Sequence, residues 1–273
     1  MSETRRIWLC ADDYGIAPGV DRGIRDLIAH KRLNATSAMV VAPSFNADEA
    51  GALLNAGNAA IGLHLTLTAP FKPLTEFTAL RGGRFLTLPN VLGMAMARRL
   101  DRAALEREIT AQLRAFADAF GRPPDFVDGH QHVHLFPQVR DAFVRAVAEH
   151  APNAWVRQCG RIKGQARGLQ DRKGLLLDIL SIGFRRRAHR AGLRFNPAFA
   201  GTYSFTPDAD FPALFPGFLE GLPDGGLVMC HPGFVDAELE RLDPLTTTRE
   251  QEFAYLDDDS FARLLAEKNV ALA

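Results

Sequence analysis

The chain has 273 residues, 47% of them hydrophobic, and its 32 lysines and arginines balance 32 aspartates and glutamates. A length of this order holds one large core, read as a single domain over 1–273. The charge balance excludes a global basic field for nucleic acid and an acidic disordered tail, so the expected partner is a small or neutral molecule.

At the N-terminus two arginines precede a short apolar run, but that run meets Asp12 and Asp13 too soon for a signal-peptide core. No later stretch approaches the roughly 20 apolar residues that span a bilayer, so a soluble, cytoplasmic protein without an integral membrane segment is expected. Cys10, Cys159 and Cys230 are far apart and form no Cys-x-x-Cys pair, which fits small buried hydrophobes.

Short β-type runs alternate with helical ones. A first strand over 7–11 leads to a helix begun by Pro18, with Val20, Ile24, Leu27 and Ile28 at helical spacing. A strand over 36–43, a helix over 45–57 and a strand over 59–68 follow. The stretch 69–100 is punctuated by proline and glycine and reads as a long lid or binding loop. Asp101 then caps an amphipathic helix with Leu105, Ile109, Leu113, Phe116 and Phe120 on one stripe, stopped by Gly121.

The next run, DGHQHVHLFP over 128–137, places His130, His132 and His134 at every second position. As a β-strand it would turn all three imidazoles and Asp128 to one face. That face fits metal-ligand chemistry or a solvent-facing edge strand. After it come a helix over 138–150, a strand over 154–158, an irregular basic region to about 200, a strand over 202–205, a helix near 211–222 and a strand over 226–230. The tail adds two short helices and a last strand.

Seven or so β/α alternations, with no Gly-x-Gly-x-x-Gly after the first strand, point to an α/β fold: an irregular TIM-like barrel. Asp12, Asp13, His64, His130, Arg157 and His231 each fall at or near the carboxyl end of an expected strand, where barrel enzymes gather catalytic residues. Two adjacent carboxylates leaving an apolar strand repel each other unless a cation or shared proton offsets the charge, although an Asp pair also forms turns. Asp13, His64 and one of the histidines would make a three-ligand set with open positions, the pattern of catalytic metal sites. His231 is either a structural strand-end histidine or a general acid opposite a carboxylate base.

The runs ADDYG, GLHLTLT, DGHQHVHLFP and CHPGF, in this order, resemble those of the YdjC-like carbohydrate deacetylases, the group that includes the ChbG and HpnK proteins. The resemblance covers about 7–257. It implies a distorted barrel related to the polysaccharide deacetylases, a divalent metal ion and hydrolysis of an N-acetyl group on an amino sugar. By matching motif, it makes Asp13, His64 and His130 the metal ligands, Asp12 the base, His231 the acid for the leaving group and Arg157 a substrate- or base-orienting residue. His132 and His134 are left for substrate or outer contacts, and Tyr14, which stands where Phe is commoner, joins them as a substrate-side residue. Magnesium is the metal the resemblance implies, while one carboxylate and two imidazoles suit zinc or another transition metal as well.

Phe71 and Lys72 in the long loop are further candidates for sugar contact. The apolar run before Arg185, Arg186, Arg187 and Arg190 reads as a core helix with a solvated face, or as a patch for a lipid-linked substrate. The expected substrate is thus an N-acetylated sugar or a glycolipid, and a homodimer is compatible. The alternatives are a metal phosphoesterase or amidohydrolase-type enzyme, and a non-catalytic metal- or sugar-binding barrel.

Overall fold

The computed structural model describes residues 3–162 and 172–273. In chain order the elements are β1 (Arg5–Tyr14), α1 (Pro18–Ala29), β2 (Ala35–Ala38), α2 (Ala47–Asn55), β3 (Ala60–Leu65), the hairpin β4 (Leu80–Arg81) and β5 (Arg84–Phe85), α3 (Leu88–Met96), α4 (Arg102–Phe120), β6 (Phe126–Gly129), a 3₁₀ turn over His130–Leu135, α5 (Val139–His150) and β7 (Trp155–Val156). Then follow α6 (Arg172–Arg190), β8 (Phe199–Ala200), α7 (Phe211–Leu219), β9 (Leu227–Cys230), α8 (Ala237–Leu242), α9 (Thr247–Asp257), α10 (Asp259–Glu267) and β10 (Val270–Leu272).

The main sheet runs β7-β6-β3-β2-β1-β9-β8, with β10 beside the start of β1, and every pairing in it is parallel. Beyond its two edges the chain joins again: Val156 bridges Phe195, and Phe199 N–H donates to the Gly160 carbonyl at 3.2 Å. The sheet therefore curls into the irregular α/β barrel expected from the alternation of elements. Its strands are buried on both faces, as helix-covered parallel strands must be, and read as apolar runs such as Ile7–Ala11.

Two helices bear directly on the site. Helix α1 starts on Pro18 and buries Val20, Ile24, Leu27 and Ile28, while Gly19 and Gly23 let the chain after β9 lie on its surface. A Cβ at Gly19 would stand 2.4 Å from the Phe234 carbonyl oxygen, and one at Gly23 2.9 Å from Gly233 Cα. Helix α4 is capped by Asp101, which accepts from Ala103 and Ala104 N–H, and ends on Gly121 in the left-handed region at φ +67°. Its buried Glu108 and Gln112 accept from Thr75 N–H at 2.9 Å and Thr66 N–H at 3.0 Å, tying the long loop to the barrel.

Three expectations need correction. The stretch 69–100 is not a bare loop, because the Gly82-Gly83 pair, both at positive φ, closes a hairpin and Pro89 starts α3. The strand expected over 202–205 is instead β8, Phe199–Ala200, since Gly201 at φ +98° turns the chain off the sheet. Much of the basic stretch to residue 200 is helix α6, and 163–171 lies outside the described residues. No described helix is long and apolar enough to cross a membrane.

Candidate active site

Strand β1 delivers two adjacent carboxylates, both almost fully buried. In a regular strand they would face opposite sides of the sheet, but Asp13 has φ +70° and the register with β2 shifts between Ala11 and Tyr14. The break turns both side chains into one cavity. Asp21 holds the turn beyond, accepting from Gly15 N–H and Ser44 Oγ.

The histidine run departs from the expected strand in the same way. Strand β6 ends at Gly129, and Gln131 and His132, at φ +53° and +59°, wind the chain into a tight turn. The three imidazoles therefore do not share a face. His130 Nδ1 lies 2.9 Å from Asp13 Oδ1, and His64 Nε2 lies 3.3 Å from the same oxygen. His132 lines the cavity with its Nδ1 3.5 Å from Cys159 Sγ. His134 points away: it is fully buried, its Nε2 bonds the Arg157 carbonyl at 2.9 Å, and its ring packs against Phe143 and Phe184. Burial pushes its pKa down to about 4, so it is a neutral core residue and not a substrate contact.

Two more substrate-side expectations are displaced. Tyr14 is fully buried, with its hydroxyl on Glu49 at 2.9 Å and on Arg25 at 2.9 Å. Phe71 is not an exposed loop residue either: it is 3% exposed and meets the His130 ring edge-on at 5.8 Å. Lys72 stays exposed.

Asp13, His64 and His130 form a buried group whose ligand atoms lie within 4.8 Å of one another. The donor set fits a divalent cation, and the surroundings fit a metal-bound histidine as well. Asp128 Oδ1 lies 2.6 Å and Ser37 Oγ 2.9 Å from His64 Nδ1, leaving Nε2 toward Asp13, the carboxylate–histidine pairing that orients metal ligands. Burial works against charge on His64, yet Asp128 and Asp12 outweigh it and hold its pKa up at about 10. Burial likewise opposes ionisation of Asp13, but His130 and the Arg249 guanidinium keep its carboxyl well below the usual range.

Asp12 is held differently. Arg157 meets both its oxygens at 2.6 Å, and Nη2 of the same guanidinium lies 2.6 Å from Asp128 and 3.0 Å from Cys10 Sγ. Burial pushes the Asp12 carboxyl above its ordinary value against the pull of Arg157. Arg157 is fully buried and outside the cavity wall, with its guanidinium turned to the Asp12 carboxylate. Cys10, Asp12 and Asp128 also cluster as a second acidic group, but the guanidinium fills it. Among the described residues that leaves one place for a cation, not the pair that a two-metal phosphoesterase needs.

Across the cavity, His231 follows β9. Glu252 of α9 accepts its main-chain N–H, and Phe205 meets its ring edge-on at 5.2 Å. Asp12, Asp13, His64, His130, His132 and His231 thus share a cavity of about 230 Å³, closed by Leu88, Gln131, Phe205, Met229, Asp243 and Leu245. Sequence reasoning missed Arg249, Asp243, Glu252 and Ser37. Arg249 and Glu252 lie three apart on a helix of the tail, where the pattern reads as an ordinary solvated face.

The YdjC-like protein family model matches residues 6–267. A chitooligosaccharide deacetylase of Citrobacter koseri is 30% identical over 272 residues, spanning 96% of this chain and 94% of the relative. Among solved structures, a protein of Enterococcus faecalis V583 described as a candidate cellobiose-phosphate cleavage protein superposes with TM-score 0.74 at 21% identity, over 99% of this chain and 97% of that one. A Streptococcus mutans CE4 esterase does so with TM-score 0.51 at 14% identity, over 99% and 85%. The four motifs that line the cavity all lie within the matched span, and the chain belongs to the YdjC-like protein family.

Proposed function

We propose that the protein is a metal-dependent hydrolase that removes the N-acetyl group from an amino sugar. The observation that carries this reading is one cavity wall that joins the Asp13, His64 and His130 group to a clamped carboxylate, Asp12, and to His231. A bound divalent ion would polarise the acetyl carbonyl and ease deprotonation of water. Asp12 takes the proton from the attacking water, and its raised pKa makes it a stronger base than an exposed aspartate. Arg157 holds that carboxylate still while it does so. As the C–N bond breaks, protonated His231 gives its proton to the departing nitrogen, which leaves as the amine, and the acetyl carbon leaves as acetate. His132 and Gln131, polar groups on the cavity wall, are the residues we assign to the sugar.

The Citrobacter koseri relative favours a short chitooligosaccharide as the substrate. A feature of α6 favours a second substrate, an amphiphilic glycolipid. Leu175, Leu176, Ile179 and Ile182 are 40%, 37%, 58% and 44% exposed along one face, which continues into exposed Arg186, His189 and Arg190. The acidic residue of the helix, Asp178, is turned aside to Arg161 at 2.8 Å.

The test is acetate release from N-acetylated chitooligosaccharides and from a glucosaminyl lipid in anionic vesicles, with Asp12→Asn as control. Release should fall about 100- to 10,000-fold in the control. No release from any substrate by protein carrying a divalent ion would end the deacetylase reading. Unchanged lipid turnover and vesicle binding after Ile179→Ser and Arg186→Ser would end the glycolipid one.

A further inference from the structure

Helix α9 also reaches the Asp13, His64 and His130 group. Its Arg249 is fully buried, and one nitrogen, Nη2, donates to Asp13 Oδ2 at 2.7 Å and lies 2.9 Å from Asp243 Oδ2. Nε donates to the Leu245 carbonyl at 2.8 Å, and Nη1 is buried without a hydrogen-bond partner. The guanidinium is thus anchored by the main chain and Asp243 and aimed at a proposed metal ligand.

We infer that Arg249 is a positioning residue for the metal site: it occupies Oδ2 of Asp13 so that Oδ1 alone is presented to the cation beside His64 and His130. The inference rests on the metal-dependent reading above.

The geometry explains why a cation-binding carboxylate tolerates a cation on its other side. Oδ1 already faces both imidazoles, at 2.9 Å from His130 Nδ1 and 3.3 Å from His64 Nε2. With Oδ2 free, the carboxylate could rotate and chelate the ion with both oxygens, using a coordination position that water or the acetyl oxygen needs. Asp243, which closes the cavity and shares Nη2, anchors the guanidinium so that it does not follow the carboxylate. Partners of this kind around a metal ligand commonly change metal affinity by about 10- to 100-fold when removed.

The experiment is titration of Co2+ into metal-stripped protein, followed by its visible absorption, in wild type, Arg249→Gln and Arg249→Lys. Thermal unfolding of each metal-free protein is measured alongside. Arg249→Gln should change the Co2+ absorption band, as the second Asp13 oxygen becomes free to bind, and shift the Kd about 10- to 100-fold. Arg249→Lys, which keeps a charged donor but loses the Nε bond to the Leu245 carbonyl that fixes the group's direction, should fall between the two. A merely structural arginine would lower the unfolding temperature of the metal-free protein and leave both Co2+ readouts unmoved, which would overturn the inference. If Arg249→Gln does not fold, a wild-type Kd and band in Arg249→Lys would overturn it equally. Wild-type protein that takes up no Co2+ would remove the metal reading and this role together, whereas wild-type uptake with indifferent variants would remove this role alone.

Discussion

Asp12 and Asp13 are neighbours in the chain with opposite electrostatics. Asp13 is stabilised as a carboxylate by His130 and Arg249, while burial raises Asp12 despite Arg157. Titratable pairs pushed apart by their surroundings mark separate roles, which fits the proposed ligand and base. The residue types were legible in ADDYG; what separates them was not, because their partners stand 117, 145 and 236 positions away. Nor did the sequence reveal that Asp13 is left-handed. That conformation decides which substitution is informative. Asn tolerates positive φ far better than β-branched residues do, so Asp13→Asn should keep the backbone turn and lose the charged ligand. The expected outcome is a folded protein, by circular dichroism, whose Co2+ affinity drops more than the about 10- to 100-fold of an outer partner. Retained affinity would remove Asp13 from the ligand set.

Among the elements, α9 is the least conspicuous in sequence and one of the most consequential for the site. From one buried face it sends Arg249 to Asp13 and Glu252 to the main chain of His231, where Glu252 also accepts from the Tyr203 hydroxyl. Burial pushes the Glu252 pKa up to about 7 from an ordinary 4.5. Between those values the folded protein keeps a proton that the unfolded chain has released, so stability falls as pH rises through this window. The full loss is on the order of 3 kcal/mol per group. Asp21, which burial likewise pushes to about 7, titrates in the same window. Glu252→Gln should therefore reduce, not abolish, the decline in urea-unfolding free energy between pH 5 and 8; an unchanged slope would show that Glu252 is ionised throughout. The histidine turn carries the converse lesson about legibility. Its period of two imitates a strand, and only two successive left-handed non-glycine residues, Gln131 and His132, reveal the turn. No spacing rule encodes that. The LRGGRF hairpin, taken in the sequence as part of one long loop, did carry a signal, since a Gly-Gly pair between short β-type runs marks a turn in its own right.

At the scale of the molecule, the alternation of strands and helices made the parallel barrel legible, because each strand needs an apolar run and each crossover a helix. The strand order, which seats β1 between β2 and β9, was not, since short strands such as β7 and β8 carry too few residues to declare their neighbours. That order has a kinetic consequence. The ligands and their supports come from β1, β3, the turn after β6, the residue after β7 and α9, and β1 cannot be flanked on both sides until β9 has docked. Loop closures this long come late and slowly. During refolding, helix should form well before the cation site exists. In stopped-flow refolding with Co2+ present, the visible band should lag the far-ultraviolet signal; simultaneous appearance would mean the site assembles with the first helices. On the proposed reading, cation capture is then a clock that starts only when β9 has arrived, and a half-made barrel would carry the ligand residues without the ability to hold an ion.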